Sequence, residues 1–251
     1  MLEPIYKIRG LCKRYGTRSV LEDLDFEVLR GESLVVLGRS GSGKSVTLRQ
    51  LNGLEKPDRG SIEFDGDEIS HLRERDLYPL RRRVAMLFQG GALFDSMTVA
   101  ENVAYPLREH TDLRKAEIGD RVREKLAKVG LRDIEDKLPA DLSGGMKKRV
   151  ALARSMALDP EVVLFDEPTT GLDPMTSATI ARLIRAAQRD LQATSVVVTH
   201  DIALARRVGD RIAFLDQGRF RFVGTWQEAE QVSDPLLTRF LNGGEEPDDG
   251  S

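Results

Sequence analysis

The sequence predicts an α/β fold built on a mostly parallel sheet, and three observations predict it. Short β-branched runs, Ser33-Leu-Val-Val-Leu37, Val162-Val-Leu-Phe-Asp166 and Ser195-Val-Val-Val-Thr199, alternate with longer stretches of helical period. The first of these runs leads straight into a glycine-rich turn and then a helical pattern, the context of a phosphate-binding strand–loop–helix unit. The 251 residues, 40% hydrophobic and 31% charged, suit one large α/β domain or two small ones with a sizeable core.

Taken in order, residues 5–9, 24–29 and 61–64 read as strands of an antiparallel section near the N-terminus. Residues 33–37 read as a buried strand, and a helix is expected from Lys44 to about Asn52. Residues 97–140 differ: they are charged, lack buried strands, and repeat apolar positions at Ile118, Val122, Leu126 and Val129 with helical spacing. They point to a small helical subdomain, about residues 97–158, inserted into a single domain of residues 1–242. Two more buried strands, residues 161–166 and 195–199, bracket a helix over residues 174–192 with Pro174 in its first turn. From Gly243 the chain is too polar to pack, and residues 243–251 are expected to be a disordered tail.

Composition excludes some function classes. The formal net charge of −3 gives no global basic field, so nucleic acid is not an expected partner. The local clusters Arg81-Arg82-Arg83 and Lys147-Lys148-Arg149 read, taken alone, as solvated faces. Cys12 is the one cysteine, which rules out an internal disulfide, fits a reducing compartment and suggests a small residue packed as a hydrophobe. The first ten residues lack the apolar centre of a signal peptide. No apolar run approaches the roughly 18 residues that would cross a bilayer, so any membrane span must come from another subunit.

Gly38, Arg39, Ser40, Gly41, Ser42, Gly43, Lys44 and Ser45 fit G-x-x-x-x-G-K-[ST]. Glycines let successive backbone N–H groups curl around a phosphate, and the following helix N-terminus adds positive potential. Lys44 is expected at the β- and γ-phosphates, and the Ser45 hydroxyl on Mg²⁺. Such a match arises by chance in roughly 1% of chains this long, and the flanking strand and helix lower that further. Asp166 and Glu167 end a buried strand, at the edge where ligands sit in open α/β sheets. Alone they would read as two solvated acids. With the phosphate loop upstream, Asp166 is expected to hold Mg²⁺ and Glu167 to polarise the water that attacks the γ-phosphate.

In this order, the loop from Gly38 to Ser45, Gln89, Leu142-Ser-Gly-Gly-Met146, Asp166-Glu167, Gly171-Leu-Asp173 and His200 resemble the motifs of ABC-family ATPase domains over nearly the whole chain. The Leu-Ser-Gly-Gly element is the most specific of them. The resemblance implies an ABC-type ATPase fold and roles for further residues. Tyr15 would stack on adenine, and Val46 would sit among the nucleotide contacts. Gln89 would complete the Mg²⁺ shell and sense the γ-phosphate. Ser143, Gly144 and Gly145 would bind the γ-phosphate held by a second copy of the chain, and Asp173 would cross that interface. His200 would hold the attacking water and Glu167. The catalytic set is then Glu167, His200, Lys44 and Gln89, with ATP and Mg²⁺ as cofactors.

Three local features narrow the resemblance: Val46 where many relatives carry Thr, Met146 where Gln is common, and Phe88-Gln-Gly-Gly-Ala-Leu-Phe-Asp-Ser-Met97 followed by Thr-Val-Ala-Glu-Asn-Val103. Together these are similar to the ATPases of the Mla (maintenance of lipid asymmetry) phospholipid transporters. That resemblance implies work at the cytoplasmic face of the inner membrane, driving phospholipid transport between inner and outer membranes. The implied partners are transmembrane permease subunits, a periplasmic lipid-carrier subunit and a small cytoplasmic accessory protein. An amino-acid importer or a lipoprotein-releasing exporter is the alternative. Leu93 and Phe94 are expected to be exposed and to seat a permease helix.

Overall fold

A computed structural model describes residues 3–243; the expected tail lies outside the described residues from position 244 onward. Two sheets organise the chain. In the first, β1 (Pro4–Tyr15), β2 (Arg18–Leu29), β4 (Arg59–Phe64) and β5 (Asp67–Glu68) pair antiparallel in the order β2-β1-β4-β5. In the second, β3 (Ser33–Leu37), β6 (Val84–Leu87), β7 (Val162–Asp166), β8 (Thr194–Thr199), β9 (Arg211–Asp216) and β10 (Arg219–Thr225) run in the order β10-β9-β3-β8-β7-β6. All neighbours there are parallel except β10, which turns back on β9.

The parallel strands β3, β7 and β8 are buried along their full length, because both faces of this sheet are covered. Their side chains divide by strand period. Val35, Leu37, Val163, Phe165 and Val197 face one core, and Leu34, Val36, Leu164, Val196 and Val198 face the other. The second core also contains the antiparallel sheet and α1 (Lys44–Leu51), with Leu48 and Leu51 fully covered. The first core takes in α3 (Val99–His110), α4 (Lys115–Lys128) and α5 (Gly144–Ser155), which pack on one another. It also takes in the inner faces of α6 (Pro174–Leu191) and α7 (Ile202–Val208). The short α2 (Tyr78–Arg83) leads into β6, and α8 (Trp226–Gln231) and α9 (Pro235–Leu241) follow β10.

Members of both basic clusters are built into the fold, although Arg82 remains exposed. The Arg83 guanidinium bonds both Glu161 and Asp65 and lies over the Phe64 ring, 4.7 Å from its centroid. Arg30 pairs with the same two acids, so four charges join the antiparallel sheet to the start of β7. Lys148 is buried, and Arg149 donates to the carbonyls of Val129 and Gly130 at the end of α4. The solvated-face expectation fails at these positions because their partners lie far away in sequence.

The junction of β1 and β4 depends on Gly60, which has φ +90°. A Cβ there would stand 2.4 Å from the Gly10 carbonyl oxygen and 2.6 Å from that of Arg9, both of them backbone. Gly60→Ala should therefore destabilise the chain by about 3 kcal/mol, seen as a Tm lowered by about 6–10 °C. Thermal unfolding of the variant with an unchanged midpoint would refute the strain argument.

Candidate nucleotide site

The loop between β3 and α1 curls because Gly43 takes φ +108°, and a Cβ there would meet Leu21 Cδ2 at 2.6 Å and the Val20 carbonyl oxygen at 2.9 Å. Helix α1 therefore begins at Lys44 with no side-chain cap, leaving its first N–H groups pointing into the loop. The buried Lys44 ammonium donates to the carbonyls of Gly38 at 2.8 Å and Arg39 at 2.9 Å, and its Nζ lies 3.6 Å from Glu167 Oε1. Burial lowers its pKa from the ordinary value, and Glu167 opposes that shift. Arg39, Ser40 and Gly41 line the same cavity, of about 650 Å³. Ser42 is buried behind them, its hydroxyl without a hydrogen-bond partner among the described residues.

Both acids expected at the end of β7 are here. The Ser45 hydroxyl donates to Asp166 Oδ1 at 2.7 Å, and burial raises the Asp166 pKa above its ordinary value. Glu167 sits one residue beyond the strand at φ +45°, which turns its carboxylate towards Lys44. That carboxylate accepts from Thr199 Oγ1 at 3.2 Å and Thr170 Oγ1 at 3.4 Å, and lies 3.0 Å from His200 Nδ1. Four side chains thus surround one carboxyl group, and His200 immediately follows the last residue of β8. Gln89, in the exposed loop after β6, lines the cavity together with Tyr15, Val46, Glu167 and His200. Val46 is buried, and the neighbouring hydroxyl of Thr47 is used internally on the Gly43 carbonyl at 3.2 Å.

Ser45, Asp166 and Gln89 offer a hydroxyl, one carboxylate and one amide, all hard oxygen donors. No group of three or more His, Cys, Asp or Glu among the described residues could hold a metal ion. So sparse a donor set fits Mg²⁺, which keeps waters and takes phosphate oxygens, and does not fit a fully protein-ligated metal.

Ser143, Gly144, Gly145 and Asp173 lie elsewhere. They line a separate open cavity of about 1020 Å³, with Lys44, Ser45 and Glu167 absent from its wall. Ser143 caps α5, its Oγ accepting from Met146 N–H at 3.3 Å. Asp173 caps α6, accepting from Met175 and Thr176 N–H at 3.0 Å each; the Thr176 hydroxyl's hydrogen bond lowers its pKa. The Met146 side chain packs against the helical core.

Two residues beyond those expected shape the site. Lys148, one turn into α5, donates from its buried ammonium to the Gln89 carbonyl. Asn102, fully buried on α3, accepts from Phe94 N–H at 2.8 Å and donates to the carbonyls of Phe94, Met97 and Thr98 at 3.0–3.1 Å. It clamps the loop that presents Phe94. In the sequence, an Asn among the apolar positions of a helix was the one available signal. Phe94 is 40% exposed as expected, stacked on Tyr105 at 4.9 Å between centroids and topped by Arg154, whereas Leu93 is half-buried against the helical core.

A protein-family model described as ABC transporter matches residues 21–170. The chain is 41% identical over 236 residues to the intermembrane phospholipid transport system ATP-binding protein MlaF of Escherichia coli K12, covering 94% of this chain and 88% of that one. It is 44% identical over 237 residues to the probable ribonucleotide transport ATP-binding protein mkl of Mycobacterium tuberculosis H37Rv, covering 94% of this chain and 66% of the relative. The chain thus spans about two thirds of the length of such mycobacterial relatives. Among solved structures, the dimeric post-hydrolysis state of the ATP-binding cassette MJ0796, bound to ADP and Pi, superposes with a TM-score of 0.81 at 32% identity, over 88% of this chain and 98% of that one. A structure of cbiO1 from Clostridium perfringens superposes with a TM-score of 0.83 at 31% identity, over 95% of each chain. Among the described residues, no helix is long and apolar enough to cross a membrane.

Proposed function

Because the chain belongs to the ABC transporter family, we propose that it is the ATP-binding and hydrolysing subunit of a phospholipid transporter and acts as one of two copies that close on ATP. The carrying observation is the division of the phosphate-binding groups. Lys44, Ser45 and Glu167 share one cavity, while the anion-ready N-terminus of α5 at Ser143 opens into another. Groups so divided serve one phosphate only if the second set comes from a partner chain. The dimeric arrangement of the ATP-binding cassette MJ0796 supports this reading. Residues 1–242 would form one ATPase domain, with residues about 97–158 as its helical subdomain.

In this reading Tyr15 carries the adenine, and the backbone of residues 38–46 cradles the phosphates. Lys44 leaves the two carbonyls it now bonds for the β- and γ-phosphate oxygens. Glu167, aimed by Thr199 and Thr170 and backed by His200, takes a proton from the attacking water. Ser45, Gln89 and Asp166 would hold Mg²⁺, which neutralises phosphate charge when bound. From the other copy, Ser143, Gly144 and Gly145 close over the γ-phosphate, and Asp173 packs across the interface.

Phospholipid as cargo rests on the MlaF relatives and on the three local features of the sequence. Permease subunits in the inner membrane would hold the chain at the cytoplasmic face, with a periplasmic lipid carrier and a small cytoplasmic protein completing the assembly. Phe94 and Tyr105, braced by Asn102, would seat a permease helix. With the complex reconstituted in phospholipid vesicles, Phe94→Asp should cut lipid transfer by more than about tenfold while ATP binding stays unchanged. Undiminished transfer would remove Phe94 from the docking surface. ATP hydrolysis that moves an amino acid and no lipid would overturn the cargo assignment.

A further inference from the structure

Besides Arg39 and Lys44 of the phosphate loop, the described wall of the nucleotide cavity includes Arg18. Arg18 is the first residue of β2, directly across a two-residue turn from Tyr15, with which it pairs in register. The turn therefore brings the two residues to the same place in the fold, and both line the cavity that holds Lys44, Ser45 and Val46. Arg18 also reaches over the phosphate loop: a Cβ on Gly41 would stand 3.9 Å from Arg18 Nη2. Its side chain is exposed, and among the described residues it has no hydrogen-bond or ion-pair partner. Two arginines near the turn lie outside the cavity wall and are engaged elsewhere. Arg14 donates to the Thr17 carbonyl at 3.5 Å, and Arg49 bonds Glu55 at 3.2 Å.

Position 46 offers the cavity no side-chain donor. At position 46 the chain carries a buried valine, so no side-chain hydroxyl follows Ser45 into the cavity, and the Thr47 hydroxyl is spent on the Gly43 carbonyl. A triphosphate brings several negative charges into a site whose lysine is already 3.6 Å from a carboxylate. A guanidinium held over the loop can meet phosphate oxygens in a planar, two-pronged contact without first giving up an internal partner.

We infer that Arg18 is a phosphate-binding residue of the nucleotide site, supplying from the Tyr15 turn the contact that Val46 cannot make. The inference rests on the reading of the Lys44 loop as an ATP site. Its test uses the full-length chain carrying Glu167→Gln, so that turnover does not intrude, with ATP, ADP and adenosine measured by competition against a fluorescent ATP analogue. Arg18→Ala should weaken ATP and ADP by about tenfold, the scale of one charge-assisted hydrogen bond, and leave adenosine within about twofold. Arg18→Lys should recover part of the loss, and adding Val46→Thr to Arg18→Ala should recover more. Arg18 lies on an exposed turn, and an unchanged Tm confirms that each variant is folded.

Phosphate affinity preserved in Arg18→Ala would overturn the inference. So would an equal loss for adenosine, which would make Arg18 a support for the base. A double variant no tighter than Arg18→Ala would overturn the link to Val46. Failure of the parent chain to bind ATP at all would instead sink the nucleotide-site reading itself, so the two failures are distinct.

Discussion

Glu167→Gln should lower phosphate release by about a thousandfold and leave ATP affinity equal or higher, the range expected when a positioned general base is removed. The substitution keeps the shape of the side chain and its contacts with Thr199 and Thr170, so the cavity should not reorganise. What changes is charge. The amide cannot take a proton from water, and it no longer holds Lys44 Nζ from 3.6 Å, which frees the ammonium for phosphate. Copies bearing the variant should therefore stay paired on ATP, visible as a doubling of mass by size exclusion with light scattering when ATP is added. Release at the parent rate would take the base role away from Glu167.

The second large effect needs two variants. Lys44→Ala and Ser143→Arg should each abolish hydrolysis, one by removing the phosphate cation and the other by blocking the helix N-terminus that, in the proposed dimer, would face the partner's phosphate. Co-expressed, they should recover up to about a quarter of parent activity: half of randomly paired dimers are mixed, and each mixed dimer keeps one intact site of two. The prediction follows from the separation of the Lys44 and Ser143 cavities on one chain. If a single chain supplied every group, both variants would be dead in every pairing and the mixture would stay inactive.

The centre of this fold was legible in the sequence, and its margins were not. β3, β7 and β8 are covered on both faces, so they appear as unbroken β-branched runs and were placed to within a residue. The N-terminal strands were expected at residues 5–9 and 24–29 but extend over Pro4–Tyr15 and Arg18–Leu29. Register shifts between Ile8 and Leu11, and between Leu11 and Lys13, break the alternation that would have revealed their length. The loop Gly38 to Ser45 was legible because its chemistry is local. Lys148 was not, since its burial depends on the carbonyl of Gln89, 59 positions away. Asn102 is illegible for a related reason: its four bonds go to residues 94–98, a loop whose path no spacing rule records.

The Lys148 contact has a mechanical consequence. In the proposed dimer helix α5 would offer Ser143 to the other copy at its N-terminus; one turn later it is tethered to the segment bearing Gln89, which borders its own nucleotide cavity. Because the Lys148 ammonium is buried, breaking this tether would leave a charge without a partner, which favours helix and segment shifting together. In the proposed dimer, a nudge on Gln89 by an arriving γ-phosphate would be passed through the tether to the serine presented to the neighbour's nucleotide. Each site would then report its occupancy to the other, and by thermodynamic linkage the message must run equally in both directions.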